Sequence, residues 1–141
     1  MSKKSFSLIE IIFVISIAVI IAMVAIPKLG SSLDKANMVK IKSDVALIRD
    51  GLSQYEDKMI LSNESTALDS LEDSEDILFD KILQYPIVSS TEQKSLSWSK
   101  LSNSSYQVWI TSSESLIFNY NKDDFTFDCN FDDNYCEELT Q

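Results

Sequence analysis

Apolar and polar positions change their period along the chain, and each change marks an element. From Leu8 to Ile26 the residues are apolar apart from Glu10 and Ser16, so no side of the segment is polar. Such a run predicts a helix that is apolar all round. Phe6 to Ile26 is 21 residues, roughly 31 Å at 1.5 Å per residue, which matches the hydrocarbon core of a bilayer. Beyond Pro27, the residues Leu29, Leu33, Ala36, Ile41, Val45, Ile48, Leu52, Tyr55 and Met59 recur mostly at intervals of three and four, with charges on other faces. That spacing predicts an amphipathic helix with one buried side, reaching about Met59. Pro27 removes one backbone donor and is expected to kink the helix rather than end it. Gly51 reads as a weak point, costing about 1 kcal/mol relative to Ala.

The stretch from Leu61 to Asp76 is polar and strongly acidic and reads as a solvated loop. Ser74 to Asp76 can cap a short helix holding Ile77, Leu78, Phe79, Ile82 and Leu83, with Pro86 ending it. From Leu96 the period becomes two, and four runs read as strands: Leu96 to Leu101, Tyr106 to Thr111, Ser115 to Tyr120 and Phe125 to Cys129. Ser, Asn, Asp and Glu clusters between them read as turns, which makes the sheet an antiparallel meander. A helix laid over such a sheet buries the apolar face of each. The expected fold is α+β: a long kinked N-terminal helix, its first half transmembrane, packed on a small antiparallel β-sheet head. Trp98, Tyr106, Trp109, Phe118, Tyr120, Phe125 and Phe127 supply the sheet's aromatics, which read as core in preference to a ligand platform.

Composition removes several functions. The 141 residues carry 12 Lys plus Arg against 22 Asp plus Glu, a formal charge of −10, and no histidine. Without imidazole there is no Ser-His-Asp triad, no Cys-His dyad and no histidine metal site, so an enzyme is not expected. Beyond residue 62 the cations are Lys81, Lys94, Lys100 and Lys122, which form no basic stripe. Direct nucleic-acid binding is therefore not expected.

The chain opens Met1-Ser2-Lys3-Lys4-Ser5, and two lysines ahead of an apolar run place the N-terminus in the cytoplasm. A cleaved secretory signal fits poorly, because Ala22-Met23-Val24-Ala25 puts Met where a small residue is wanted. A plain anchor accounts for length and lysines but not for Glu10, a carboxylate that costs roughly 2.5–3.5 kcal/mol at mid-helix depth in a membrane. Ser5-Phe6-Ser7-Leu8-Ile9-Glu10 followed by an apolar helix resembles the class III prepilin signal of type IV pilins and of the pseudopilins of type II secretion systems. The resemblance covers Lys4 to Pro27 and is only architectural thereafter.

That resemblance implies cleavage of the Ser5-Phe6 bond by a prepilin peptidase, N-methylation of the new Phe6 terminus, and retention of Glu10 inside the helix. Ser5 stands where the family usually has Gly. Pro27 falls where many members have a helix-kinking proline. The implied layout is a leader at 1–5, a transmembrane and filament-core helix at 6–27, and a periplasmic head at 28–141 that includes the second half of the long helix. Glu10 of one subunit would neutralise the Phe6 amine of its neighbour, and registers that leave the two unpaired would be rejected. The implied partners are prepilin peptidase, other pilin-like subunits, an inner-membrane assembly platform and the inner membrane. The implied place is the bacterial inner membrane, crossed once, with the head in the periplasm or in an extracytoplasmic filament.

Cys129 and Cys136 have six residues between them. Outside the cytoplasm a disulfide is favoured over free thiols, and closing so short a loop contributes roughly 2–3 kcal/mol. Two cysteines without histidine do not make a zinc site. Asp128, Asn130, Asp132 and Asp133 alternate as at the start of an EF-hand loop, which makes calcium the one candidate cofactor. Asp133 replaces the turn glycine of that loop, however, and Leu139 stands where its last ligand would be. Major pseudopilins carry a calcium site near the C-terminus, which the resemblance extends to this loop as a candidate. Two function classes follow: a pilin-like filament subunit of a type II secretion, competence or minor type IV pilus system, and a membrane-tethered periplasmic binding module.

Overall fold

The computed structural model describes residues 7–63 and 67–140; the side chains of residues 24–32 and of Thr140 lie outside that description. The chain divides into two compact units, 1–35 and 36–141, to both of which helix α1 (Leu8–Ser62) contributes.

In the first unit α1 opens on Ser7, whose carbonyl accepts the amides of Glu10 (3.0 Å) and Ile11 (3.3 Å). Along the next turns every large apolar side chain described is exposed, from Leu8 at 76% to Val19 at 47%. Ser16 keeps its hydroxyl satisfied on the Ile12 carbonyl one turn back, at 2.8 Å. The helical assignment runs on through Pro27, where the expected kink falls among the side chains outside the description.

Here the structure corrects the sequence reading. Among the described residues no helix is long and apolar enough to cross a membrane. The transmembrane first half of the helix is overturned on this ground, and so is the single-pass placement in the inner membrane.

The second unit is a helix followed by a mostly antiparallel sheet. Met38, Ile41, Val45, Ile48 and Leu52 are all buried, and their alternating steps of three and four place them on one face of α1. Strands β1 (Ile77–Leu78) and β2 (Ile87–Val88) pair as a small two-stranded ladder. Strands β3 (Trp98–Ser102), β4 (Ser105–Trp109), β5 (Ser115–Asn121) and β6 (Thr126–Cys129) form an antiparallel meander in that order. In β5 the alternation is complete, with Leu116, Phe118 and Tyr120 buried and Ile117, Asn119 and Asn121 exposed. Trp98, Tyr106, Phe118, Tyr120 and Phe127 are likewise buried in the core, so they offer no platform for a ligand.

The segment expected to be a helix after Ser74 is not one. Ile77 and Leu78 are strand, Phe79 takes a left-handed backbone (φ 64°), and the Leu83 amide then closes a turn on the Phe79 carbonyl at 2.8 Å. A phenylalanine pays conformational strain there, and packing supplies the compensation. The Phe79 ring meets Trp98 and Phe127 edge-on at 5.8 and 5.7 Å and Tyr106 at 4.7 Å. The same segment explains Gly51. A Cβ added at Gly51 would lie 2.7 Å from the Ile82 carbonyl oxygen, so glycine is what lets this turn approach α1.

Candidate functional site

The residues singled out by the resemblance fall in the first unit. Ser5 and Phe6 lie outside the described residues, as does the side chain of Pro27. Glu10 is described. It stands at the third position of α1, counted after Ser7, where its charge complements the positive end of the helix dipole. Ser7-Leu8-Ile9-Glu10 also has the spacing of a capping box, which gives the acid a local role beside any role in assembly. Glu10 is exposed and has no ion-pair partner among the described residues; with Ile11, Val14 and Ile15 it borders a shallow groove of about 200 Å³.

Three of the four calcium candidates, Asp128, Asn130 and Asp133, engage their side chains locally. Asp128 accepts from Arg49 Nη2 at 2.6 Å. The Asn130 side chain accepts the Asp132 amide at 3.1 Å in an Asx turn. Asp133 caps helix α2 (Asn134–Thr140), its carboxylate taking the Tyr135 amide at 2.9 Å and its carbonyl the Cys136 amide at 3.0 Å. Among the described residues no group of three or more carboxylates or thiolates could hold a metal ion. Helix α2 was missed at the sequence level, although Asp133 is a residue type that caps helices and Glu137 puts an acid in the first turn. Cys129 and Cys136 are joined, with Cα atoms 5.8 Å apart, which ties α2 to the end of β6.

Sequence reasoning also missed a buried charged cluster in the acidic loop. Glu72 has no exposed side-chain surface, and Lys100 Nζ lies 2.9 Å from its Oε1. The Tyr106 hydroxyl donates to Oε2 at 2.9 Å, and the Ser70 hydroxyl donates to Oε1. Burial and the neighbouring Glu72 charge raise the Tyr106 pKa, so the phenol stays protonated and remains a donor. Lys81 reaches Asp73 at 3.2 Å and Lys122 reaches Asp69 at 2.9 Å. Three of the four lysines beyond residue 62 thus fasten the 69–73 loop. Both Glu72 oxygens are occupied by donors, so the cluster anchors that loop and has no free base with which to do chemistry. Nothing in the spacing distinguishes Glu72 from the acids around it, apart from the apolar Leu71 at its side.

The chain matches no family model, no curated protein and no solved structure.

Proposed function

We propose that the chain is a pilin-like filament subunit, a pseudopilin of a type II secretion or competence system. Prepilin peptidase cuts Ser5-Phe6, and subunits assemble side by side through the N-terminal part of α1. The observation that carries this reading is the apolar surface of Leu8–Met23. Its large apolar side chains are 47–76% exposed around the whole helix, with no face turned to a core of its own. An isolated soluble chain does not keep so large a patch in water, and copies of the same helix are a covering that an apolar, nearly featureless cylinder can provide for itself. Glu10, exposed and without an ion-pair partner among the described residues, is then available to the Phe6 amine of a neighbouring copy, a pairing that selects one axial register over others.

Two measurements test this. The mass of the N-terminal peptide from protein purified from its native cells is expected to correspond to methylated Phe6; an intact Met1 or Ser2 terminus would sink the processing step. Glu10→Ala is expected to abolish filaments, seen by electron microscopy and by loss from the high-speed pellet, while the head melts as in the unaltered chain. Filaments of normal abundance in that variant would refute the pairing.

A further inference from the structure

The two edges of the four-stranded sheet are treated differently. On the outer side of β6, Arg49 from α1 donates its Nε to the Phe127 carbonyl at 2.9 Å and pairs through Nη2 with Asp128. That edge is occupied at Phe127 and Asp128 by the chain itself. On the outer side of β3 the neighbour is the segment after β2, which touches at one point. Ser90 donates its amide to the Trp98 carbonyl at 2.7 Å, and Ser89 bridges Trp98 in parallel.

Beyond that point the segment turns away, with the Lys94 amide on the Glu92 carbonyl and the Ser97 amide on that of Lys94. Successive strand residues direct their backbone groups to alternate sides. The ladder with β4 is regular from Trp98 to Lys100, so Lys100 directs its N–H to the same outer side as Trp98, past the contact with Ser90 and just ahead of a register shift between Lys100 and Ser102. The space it faces is a recess of about 630 Å³ between Glu75, Asp76 and Glu92 on one wall and β3 on the other.

We infer that this recess is a docking site at which an extended, lysine- or arginine-bearing segment of a partner protein adds a strand to β3. An open strand edge is a template for strand addition, and natural proteins ordinarily blunt it, as Arg49 does at β6. Ser89 and Ser90 already make one such contact, so the edge accepts a parallel neighbour at Trp98 and, among the described residues, has none at Lys100. The charge of the walls selects the occupant. Three carboxylates border the recess, and the one ammonium beside them, that of Lys100, is held by buried Glu72. Leu101, half exposed on the same strand, offers apolar contact to a side chain of the incoming segment.

The test uses the full chain, monomeric in detergent that covers the apolar helix, with hydrogen exchange of the Lys100 amide read by NMR. The probe is a short blocked peptide of alternating Lys and Thr. It is expected to slow exchange at Lys100 roughly tenfold, as a new ladder hydrogen bond does. A peptide of the same charge with N-methylated backbone amides, and one of alternating Glu and Thr, are expected to leave it unchanged. Absence of slowing with the Lys-Thr peptide overturns the proposal, and so does equal slowing by its N-methylated form. Protection that grows with protein concentration alone also overturns it, by assigning the edge to a second copy of this chain. The exposed pair Glu75→Lys and Glu92→Lys is expected to weaken Lys-Thr peptide binding about tenfold with an unchanged melting temperature; undiminished binding would remove the role of the walls.

Discussion

Helix α1 contains two kinds of apolar segment. In 36–62 Met38, Ile41, Val45, Ile48 and Leu52 share one face and are completely or almost completely buried, while Val39, Leu47, Ile60 and Leu61 lie exposed outside it. In Leu8–Met23 they surround the helix, and every large one is exposed. The first segment finds its cover within its own unit, because strands β3 to β6 present a matching apolar face. The second finds none there. An apolar stripe is thus a statement about folding, whereas an apolar cylinder is a statement about what lies outside the chain.

The same substitution made in both segments puts that contrast at risk. Ile41→Ala is expected to cost about 3–4 kcal/mol of head stability, the range for a large side chain cut back to Ala in a closed core. Ile15→Ala, at a position 57% exposed, is expected to move head stability by less than about 0.5 kcal/mol and to weaken self-association instead. Denaturant unfolding of the full chain in detergent measures the first, and sedimentation after detergent removal the second. Equal losses of stability would mean that Leu8–Met23 is packed within the chain.

A second expectation concerns how the head holds its acidic loop. Glu72→Ala removes the charged acceptor of the Lys100 ammonium and the Tyr106 hydroxyl, leaving them only the Ser70 hydroxyl and the Asn103 carbonyl. It is expected to cost about 2–4 kcal/mol, below the value for a wholly buried pair because Lys100 keeps some solvent. Adding Lys100→Met to Glu72→Leu is expected to recover much of that loss, since replacing both partners leaves no buried charge. A double variant as unstable as Glu72→Ala would show that packing, not the orphaned charge, carries the cost. Peptide binding at the β3 edge, where Lys100 would be less restrained, can be followed in the same proteins.

Gly51→Ala gives a smaller effect whose sign decides between two arguments. Helix propensity alone predicts a gain of about 1 kcal/mol. The 2.7 Å approach of the new Cβ to the Ile82 carbonyl predicts a net loss of about 1–2 kcal/mol, because the obstacle is backbone and the turn must shift. Unfolding of the two proteins side by side gives the sign directly.

Gly51 also marks where the sequence was legible and where it was not. Strands β3 to β6 could be read to within two residues or so at each end, because each has period two and is bounded by Ser, Asn or Asp clusters. The Cys129–Cys136 bridge was legible for similarly local reasons, and the buried face of α1 in part: Ile41, Val45, Ile48 and Leu52 are buried as the spacing predicts, whereas Leu33 and Ala36 are exposed and the buried Met38 was not expected. The 74–83 segment was misread as a helix because its apolar spacing suits one; Phe79 is drawn into a left-handed turn by aromatic neighbours that come from β3, β4 and β6, tens of residues away. Glu72 was invisible for the same reason, since its partners Lys100 and Tyr106 lie on strands remote in sequence. Asp128 belongs to β6, and reading the oxygens of Asn130 and Asp133 as ligands overlooked the backbone amides of Asp132 and Tyr135 that use them. At the candidate assembly site only Glu10 can be placed, with Ser5 and Phe6 outside the described residues.

The smallest effect at neutral pH belongs to Tyr120, and it separates burial from bonding in the head. Its hydroxyl is buried and has no hydrogen-bond partner among the described residues, and its pKa is pushed up to about 12 by desolvation first and then by Tyr55 and Asp69. A phenol whose pKa is higher folded than unfolded favours the folded state in its neutral form. That contribution is fully present below the unfolded value near pH 10 and is lost as pH rises through about 12. The head is therefore expected to hold its stability up to about pH 10 and to lose it progressively above, with Tyr106 acting in the same direction. Tyr120→Phe removes one of the two phenols while keeping the ring. Urea unfolding across the alkaline range is expected to show a shallower decline for the variant, and at pH 7 a change within about 0.5 kcal/mol, since no hydrogen bond is lost. A loss above about 1 kcal/mol at pH 7 would mean that the hydroxyl has a partner, and the steeper alkaline decline of the unaltered chain would then need a different cause.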